Sequence, residues 1–154
     1  MTIEEIENIL TSWGDSFTNK QKRYIHFYSL RNFVFHFKNL PHGKLQETVL
    51  RQLNEYVREI EEHNLFLTSR ESYALATRHM NQLSDIYSSH LNFKSIMEFK
   101  FVILFSIIGD GILYLLLKNM IVFYFPVVSV SLLTYYFSRK ISLEKKKKLF
   151  GLFY

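Results

Sequence analysis

The chain reads FKFVILFSIIGDGILYLLL at Phe99–Leu117 and MIVFYFPVVSVSLLTYYF at Met120–Phe137, with only Lys118 and Asn119 between the two stretches. An apolar helix of about 18 residues or more is long enough to cross the hydrocarbon core of a bilayer, which is roughly 30 Å thick. Two such stretches joined by so short a turn predict a transmembrane helical hairpin, with spans at about 99–117 and 120–137.

Basic residues surround the base of this predicted hairpin, whereas its turn contains a single lysine. An excess of Lys and Arg marks the cytoplasmic side of a membrane protein, so both ends of the chain are expected in the cytoplasm. The acidic segment Met1–Glu7 lacks the apolar core of a secretory signal, and we expect a bacterial inner-membrane protein. The basic residues concerned are Lys94, Lys100, Arg139, Lys140, Lys145, Lys146, Lys147 and Lys148.

The charge is unevenly divided along the 154 residues, whose formal net charge is +5. Residues 1–98 contain 11 Lys and Arg against 12 Asp and Glu, so this part is close to neutral. A near-neutral domain is a poor electrostatic trap for nucleic acid, and no nucleic-acid partner is expected. Cysteine is absent, which excludes disulfides, thiolate metal sites and a cysteine nucleophile. We expect no cofactor and no metal site.

The first 93 residues carry the apolar spacing of amphipathic helices. Thr2 and Thr68 each stand three residues before a glutamate, as in the capping box that begins many helices. Helices are expected from Thr2, over 18–39, over 44–63 and from Thr68, although Phe33–Phe37 also alternates as a strand would. From Asn92 the chain is expected to run straight into the first membrane helix.

The predicted fold is therefore all-α, in three parts. A cytosolic four-helix domain occupies 1–93, the transmembrane hairpin 94–138 and a basic juxtamembrane tail 139–154. The apolar end of that tail, 149–154, is expected to dip into the membrane interface or to pack on a neighbouring subunit.

Asp110 lies between Gly109 and Gly111 near the middle of the first predicted span. A carboxylate at that depth costs about 2.5–3.5 kcal/mol on insertion scales, so it normally faces water or a partner. In one interpretation the Asp110 side chains of several copies form a ring around a pore, or Asp110 forms a single proton or cation site, and the glycines allow close helix approach. In another the span is shifted, and Asp110 lies nearer the interface.

The second predicted span offers a third interpretation of Asp110. Ser129, Ser131 and Thr134 follow Pro126 there, and hydroxyls commonly satisfy the backbone groups that a proline frees in a membrane helix. A protonated Asp110 that hydrogen-bonds to one of these residues would hold the hairpin together. Ser131 and Thr134 share a helix face, so they either line the same path as Asp110 or serve as packing hydroxyls.

The basic residues after the hairpin have two compatible roles. Arg139, Lys140 and Lys145–Lys148 would attract anionic lipid headgroups, at about 1 kcal/mol per basic residue near a negative surface. They would also fix the orientation of the hairpin, as the charge rule requires.

The segment Arg31-Asn32-Phe33-Val34-Phe35-His36 fits the Arg-(Asn/His/Asp)-x-x-x-His signature and resembles the HEPN-type ribonucleases over these six residues. The resemblance implies an all-helical dimer in which Arg31 stabilises phosphoryl charge, His36 acts as general acid or base, and Asn32 supports them. No other catalytic motif is present, so we expect a non-enzymatic protein unless this resemblance holds.

The layout as a whole resembles the small two-span membrane effectors of prokaryotic defence systems, which implies oligomerisation through the cytosolic domain and opening of a pore. Two helices cannot enclose a water path, so a conducting form needs several copies. The first hypothesis is thus an oligomeric pore-forming or membrane-perturbing effector. The alternatives are a membrane-anchored interaction or immunity protein with a cytosolic protein partner, and a membrane-tethered HEPN-like ribonuclease.

Overall fold

The computed structural model describes residues 1–63, 67–116 and 126–151, and this part of the chain is mostly helical, which confirms the all-α prediction. Two short strands accompany the helices. The elements are α1 (Ile3–Ser16), α2 (Asn19–Tyr24), α3 (Phe27–His36), a 3₁₀ turn (Phe37–Asn39), α4 (Lys44–Glu62), α5 (Ser69–Leu75), a π-helical segment (Ala76–Met80), α6 (Asn81–Leu91), β1 (Lys94–Ser95), α7 (Ile96–Leu116), α8 (Val127–Lys145) and β2 (Leu149–Phe150).

The elements from α1 to α6 pack around one apolar core, in which Ile6, Phe33 and Leu53 are fully buried. Two buried tyrosines also serve the backbone. The Tyr56 hydroxyl donates to the Ile25 carbonyl at 3.2 Å, and the Tyr87 hydroxyl donates to the Phe33 carbonyl at 2.7 Å. Both acceptors lie at or near helix ends, where carbonyls lose their intrahelical partners. The buried tyrosine hydroxyls therefore supply hydrogen bonds that these carbonyls would otherwise lack.

The predicted continuous helix over 18–39 is wrong at His26. This residue has φ +50° and separates α2 from α3, and a left-handed residue cannot continue a right-handed helix. The buried His26 ring holds the break in place, since its Nε2–H faces the Ser72 carbonyl at 3.3 Å. Phe33–Phe37 is helical, so the alternation of residue types in this segment did not indicate a strand.

The expectation that the bundle runs straight into the membrane helix is also wrong. Asn92, with φ +57°, ends α6 in the left-handed conformation that asparagine tolerates. The chain then forms β1, which pairs in parallel with β2 in the register Lys94 with Leu149 and Ser95 with Phe150. The hairpin therefore leaves and rejoins the bundle at one place.

α7 and α8 pack against each other. α7 is, among the described residues, the one helix that is long and apolar enough to cross a membrane. The second predicted span falls partly outside the described residues, at 120–125. Within α8 the apolar part Val127–Phe137 is about 16 Å long at 1.5 Å per residue, and a second span is not established by it.

Candidate functional site: the hairpin and its docked tail

The Asp110 carboxylate meets the first turn of α8. Its Oδ2 accepts a hydrogen bond from the backbone N–H of Ser129 at 3.0 Å. The first N–H groups of any helix have no intrahelical acceptor, and the helix dipole places partial positive charge there. Pro126, immediately before α8, contributes no N–H of its own. Asp110 thus acts as an N-terminal cap supplied by the neighbouring helix.

The glycines beside Asp110 do not provide the expected close approach between the two helices at Gly111. A side chain built at Gly111 would meet nothing within 4 Å, so this position faces outward from the hairpin. Gly109 is half-buried. Ser131 and Thr134 are exposed, and the Thr134 hydroxyl donates to the Val130 carbonyl of its own helix at 2.7 Å. Among the contacts given by the described residues, Asp110 is joined to Ser129, and the Thr134 hydroxyl is used within α8.

Charged residues gather at the base of the hairpin. Near the start of α7, Lys94 pairs with Glu98 at 3.5 Å, and Lys100 is exposed. Near the end of α8, the Arg139 guanidinium donates to the Tyr135 hydroxyl at 2.8 Å, and Lys140 is half-buried. Because the two helices run in opposite directions, these groups lie at a similar height, below the apolar part of the hairpin.

The lysine run ends α8 in a Schellman motif. The N–H of Lys148 donates to the Leu143 carbonyl and the N–H of Lys147 donates to the Glu144 carbonyl, both at 2.9 Å. Lys147 has φ +54°, as the residue after the cap requires, although glycine usually occupies this place. The motif turns the chain back so that β2 lies beside β1.

A polar stripe on α3 binds the backbone of the returning tail. The Asn32 amide donates to the Leu149 carbonyl at 2.8 Å, and Ser29 both donates to and accepts from the backbone of Gly151, at 3.3 and 3.1 Å. His36 Nε2–H donates to the Lys146 carbonyl at 2.8 Å. Ser29, Asn32 and His36 recur at spacings of three and four residues and so share one face of α3.

The tail therefore packs inside its own chain, contrary to the expectation that its apolar end dips into the interface or meets another subunit, as far as the described residues reach. Leu149 is fully buried, and the Phe150 ring lies 6.0 Å from the Phe33 ring. Residues 152–154 lie outside the described part of the chain.

Two of the three HEPN-like motif residues belong to this tail-binding stripe. His36 is buried, and both ring nitrogens are engaged, since Asn39 Nδ2 donates to its Nδ1 at 3.0 Å. Arg31 is exposed, and five residues along a helix place it about 140° away from His36. Within one chain Arg31 and His36 do not converge on a common site.

The surroundings of His36 favour its neutral form. Burial lowers the pKa of His36, the hydrogen bond to the Lys146 carbonyl opposes this effect, and the ammonium groups of Lys148 and Lys147 lower the pKa further. The hydrogen-bond pattern agrees, because Nδ1 accepts while Nε2 donates, and only a neutral imidazole does both.

The lysines of the tail divide between contacts within the chain and solvent. Lys148 Nζ donates to the Leu91 carbonyl at 2.9 Å, near the end of α6. Lys147 Nζ lies 3.8 Å from the centre of the Phe35 ring, a cation–π contact. Lys145 and Lys146 are exposed, so these two ammonium groups point away from the bundle.

No protein family, curated protein or solved structure matches the chain. Sequence reasoning missed Ser29 and the structural role of Asn32. A signal for both was present, because Ser29, Asn32 and His36 form a polar stripe at helical spacing in a helix that is otherwise rich in aromatics. It also missed Pro126 as the start of a helix.

Proposed function

We propose that the chain is an integral membrane protein whose α7–α8 hairpin is inserted in the bilayer, with the helical bundle fastened to its cytoplasmic base. The observation that carries this proposal is the exposure of α7. Phe105, Leu115 and Leu116 are 63%, 71% and 74% exposed. Of the most apolar 18 residues of α7, only 6% are buried within the chain. A contiguous apolar surface of this kind is rare on soluble monomers.

The charges at the base of the hairpin support a particular depth of insertion. Lys100 and Arg139 would lie at the headgroup level, where basic side chains are favoured. From Phe101 to Leu116 the apolar part of α7 measures about 24 Å, most of the ~30 Å hydrocarbon core. On this placement Asp110 lies about 15 Å above Lys100, close to the middle of the bilayer.

Among membrane functions, the geometry supports best an anchor that holds an interaction domain at the membrane. The Asp110 hydrogen bond to the Ser129 N–H supports this choice, because the carboxylate is used within the hairpin. The β1–β2 pair and the docked tail also fasten the bundle to the anchor. A partner would bind the bundle, on surfaces that the hairpin leaves open.

An oligomeric pore-forming or membrane-perturbing effector is the second candidate. The exposure of Gly111, Ser131 and Thr134 favours it, because small and hydroxyl-bearing residues on the outside of a membrane hairpin suit contacts with a second copy. In that assembly the exposed basic residues Lys145 and Lys146 would face lipid headgroups in the same way as in the anchor.

Cysteine accessibility tests the membrane placement cleanly, because the chain has no cysteine of its own. Asn119→Cys lies in the predicted turn, and Glu61→Cys lies on the exposed surface of α4. A membrane-impermeant maleimide applied to intact cells should label Asn119→Cys and spare Glu61→Cys until the membrane is permeabilised. Absence of labelling at Asn119→Cys in intact cells would contradict a hairpin that crosses the membrane.

The size of the detergent-solubilised particle separates the two candidates. A monomer or dimer is expected of the anchor, and a monomer would exclude the pore because the two helices of one hairpin cannot surround a water path. A closed ring of four or more copies, together with dye release from vesicles containing the protein, would favour the effector over the anchor.

A further inference from the structure

A cavity of about 220 Å³ lies where the bundle meets the base of the hairpin. Its inner wall is formed by Phe33 from α3, by Ala76 and Met80 from the π-helical segment, and by Phe150 from β2. Tyr73 and Met97 are partly exposed and stand at its mouth. None of these residues belongs to the Asp110 cap, so the cavity is a feature separate from the hairpin contact.

We propose that this cavity binds a small, uncharged aromatic molecule that carries a hydrogen-bonding group. The proposal goes beyond the membrane role, since the cavity is formed chiefly by the bundle and the docked tail.

The walls favour an aromatic ring. Phenylalanine, tyrosine and methionine side chains contact rings favourably through edge, stacked and sulfur–aromatic arrangements. The size agrees as well. An apolar cavity of 150 Å³ accommodates benzene, so about 220 Å³ leaves room for one ring with a substituent or for two small fused rings.

The absence of charge in the described lining restricts the ligand to neutral molecules. No Asp, Glu, Lys or Arg of the described residues lines the cavity, and a charged ligand would lose its hydration there without compensation. The lining histidine, His26, is buried, and this burial lowers its pKa, so it contributes no charge at neutral pH. The other polar residues of the lining are the buried Ser29 and Ser84 and the more exposed Thr77, Asn81 and Ser95. They suit a hydrogen-bonding substituent on the ligand.

The unusual backbone beside the cavity also supports a binding site. Ala76–Met80 forms a π-helical segment, a widened turn that occurs frequently at functional sites. It lies opposite Gly151 and Phe150 of the tail. A ligand in the cavity would touch both the widened turn and the docked tail, and would therefore stabilise the docked state by an amount that rises with the ratio of ligand concentration to Kd.

The methionines provide a direct test with indole as the probe. In the full chain in detergent, with methyl-labelled methionine, indole should shift the Met80 and Met97 methyl resonances through the ring current. The Met1 resonance should stay in place, because Met1 lies beside α4 at Asn54, away from the cavity. Indole-3-acetate, which carries a charge, should bind at least about tenfold more weakly.

Two variants, each with one alanine replaced by leucine, control for uptake of indole by the detergent. Ala76→Leu should fill the cavity and weaken indole binding about tenfold or more, whereas Ala74→Leu, exposed on the neighbouring turn of α5, should leave it unchanged. Should Ala76→Leu fail to fold, Ala76→Val fills the same space with one fewer methylene and should weaken binding in the same direction. Equal binding by the wild type and the filled variant, equal binding of the charged probe, or no shift at Met80 would overturn the proposal.

Discussion

In the proposed membrane placement, the contact made by Asp110 would allow the hairpin to contain both a carboxylate at mid-depth and a helix that begins there. Each feature alone is costly, since a charge at mid-depth costs about 2.5–3.5 kcal/mol and unsatisfied backbone N–H groups in lipid cost several kcal/mol. The hydrogen bond from the Ser129 N–H to Asp110 lets each feature offset the other.

Because the two costs offset each other through one hydrogen bond, two substitutions at Asp110 should have different outcomes. Asp110→Asn keeps an oxygen acceptor and should leave the hairpin close to the wild type, whereas Asp110→Leu removes the acceptor and should cost about 1–3 kcal/mol. Hydrogen exchange at the first turn of α8, in bicelles, should then be roughly 5- to 150-fold faster in Asp110→Leu. Gly111→Ala is the control, because an added methyl at that position meets nothing.

A strong effect of Asp110→Asn on conductance in vesicles, with unchanged exchange at α8, would instead indicate that the carboxylate charge serves a pore.

His36 is expected to make tail docking dependent on pH. Its pKa in the docked state lies below the ordinary value, so the undocked state binds the proton more readily once the pH falls below about 6.5. The stabilisation is fully present above that pH and is lost as the pH falls through the lowered pKa. Acidification should therefore speed hydrogen exchange at Leu149–Gly151, after correction for the intrinsic rate.

His36→Gln provides the matched variant, because its amide retains an N–H for the Lys146 carbonyl and does not titrate. Docking of the tail should lose most of its pH dependence in this variant and keep it in His42→Gln, whose site is exposed. An unchanged pH profile in His36→Gln would show that another group controls docking; His26, whose pKa is also lowered by burial, is the next residue to replace.

At the scale of elements, α3 acts as a platform for the tail. The HEPN-like resemblance assigns Arg31 and His36 a shared catalytic role, whereas the contacts predict that Asn32 and His36 act together and that Arg31 does not. Asn32→Asp replaces the N–H donor with an acceptor that faces the Leu149 carbonyl, and should weaken tail docking by about 1–3 kcal/mol. Limited proteolysis after the lysine run should reveal the released tail.

Arg31→Ala is the control for this prediction, because its side chain is exposed and no described tail contact uses it. Release of the tail by Arg31→Ala, with retention in Asn32→Asp, would contradict the platform. Loss of a ribonuclease activity in both Arg31→Ala and His36→Ala would support the HEPN-like hypothesis instead.

Sequence reasoning succeeded for elements whose signals are local. The capping boxes at Thr2 and Thr68 and the helix at Lys44–Glu62 follow from side-chain spacing alone. It failed where a distant contact decides the backbone. The break at His26 depends on Ser72, 46 residues away, and the turn at Lys147 depends on the tail reaching α3. No local pattern encodes either partner.

At the scale of the whole molecule, composition predicted an apolar segment that follows a near-neutral helical domain, because hydrophobicity and charge are summed over many residues. The way these parts connect was not predictable from the sequence. β1 and β2 have only two residues each, and the whole hairpin lies between them in the sequence. One of the three interpretations of Asp110 pairs it with Ser129, Ser131 or Thr134 of a continuous second span. In the structure α8 begins directly after Pro126, so the contact is made by the backbone N–H of Ser129.

The parallel pairing of β1 with β2 means that the two helices of the hairpin meet the junction at opposite ends of the pair. α7 continues directly from Ser95 at the far end of β1, whereas α8 reaches the near end of β2 through the Schellman turn. Tension in α8 would therefore act first on the contact of His36 with Lys146 and then on that of Asn32 with Leu149, and we expect it to release the tail contact by contact. Tension in α7 would act first on β1 and reach the tail only through the strand pair.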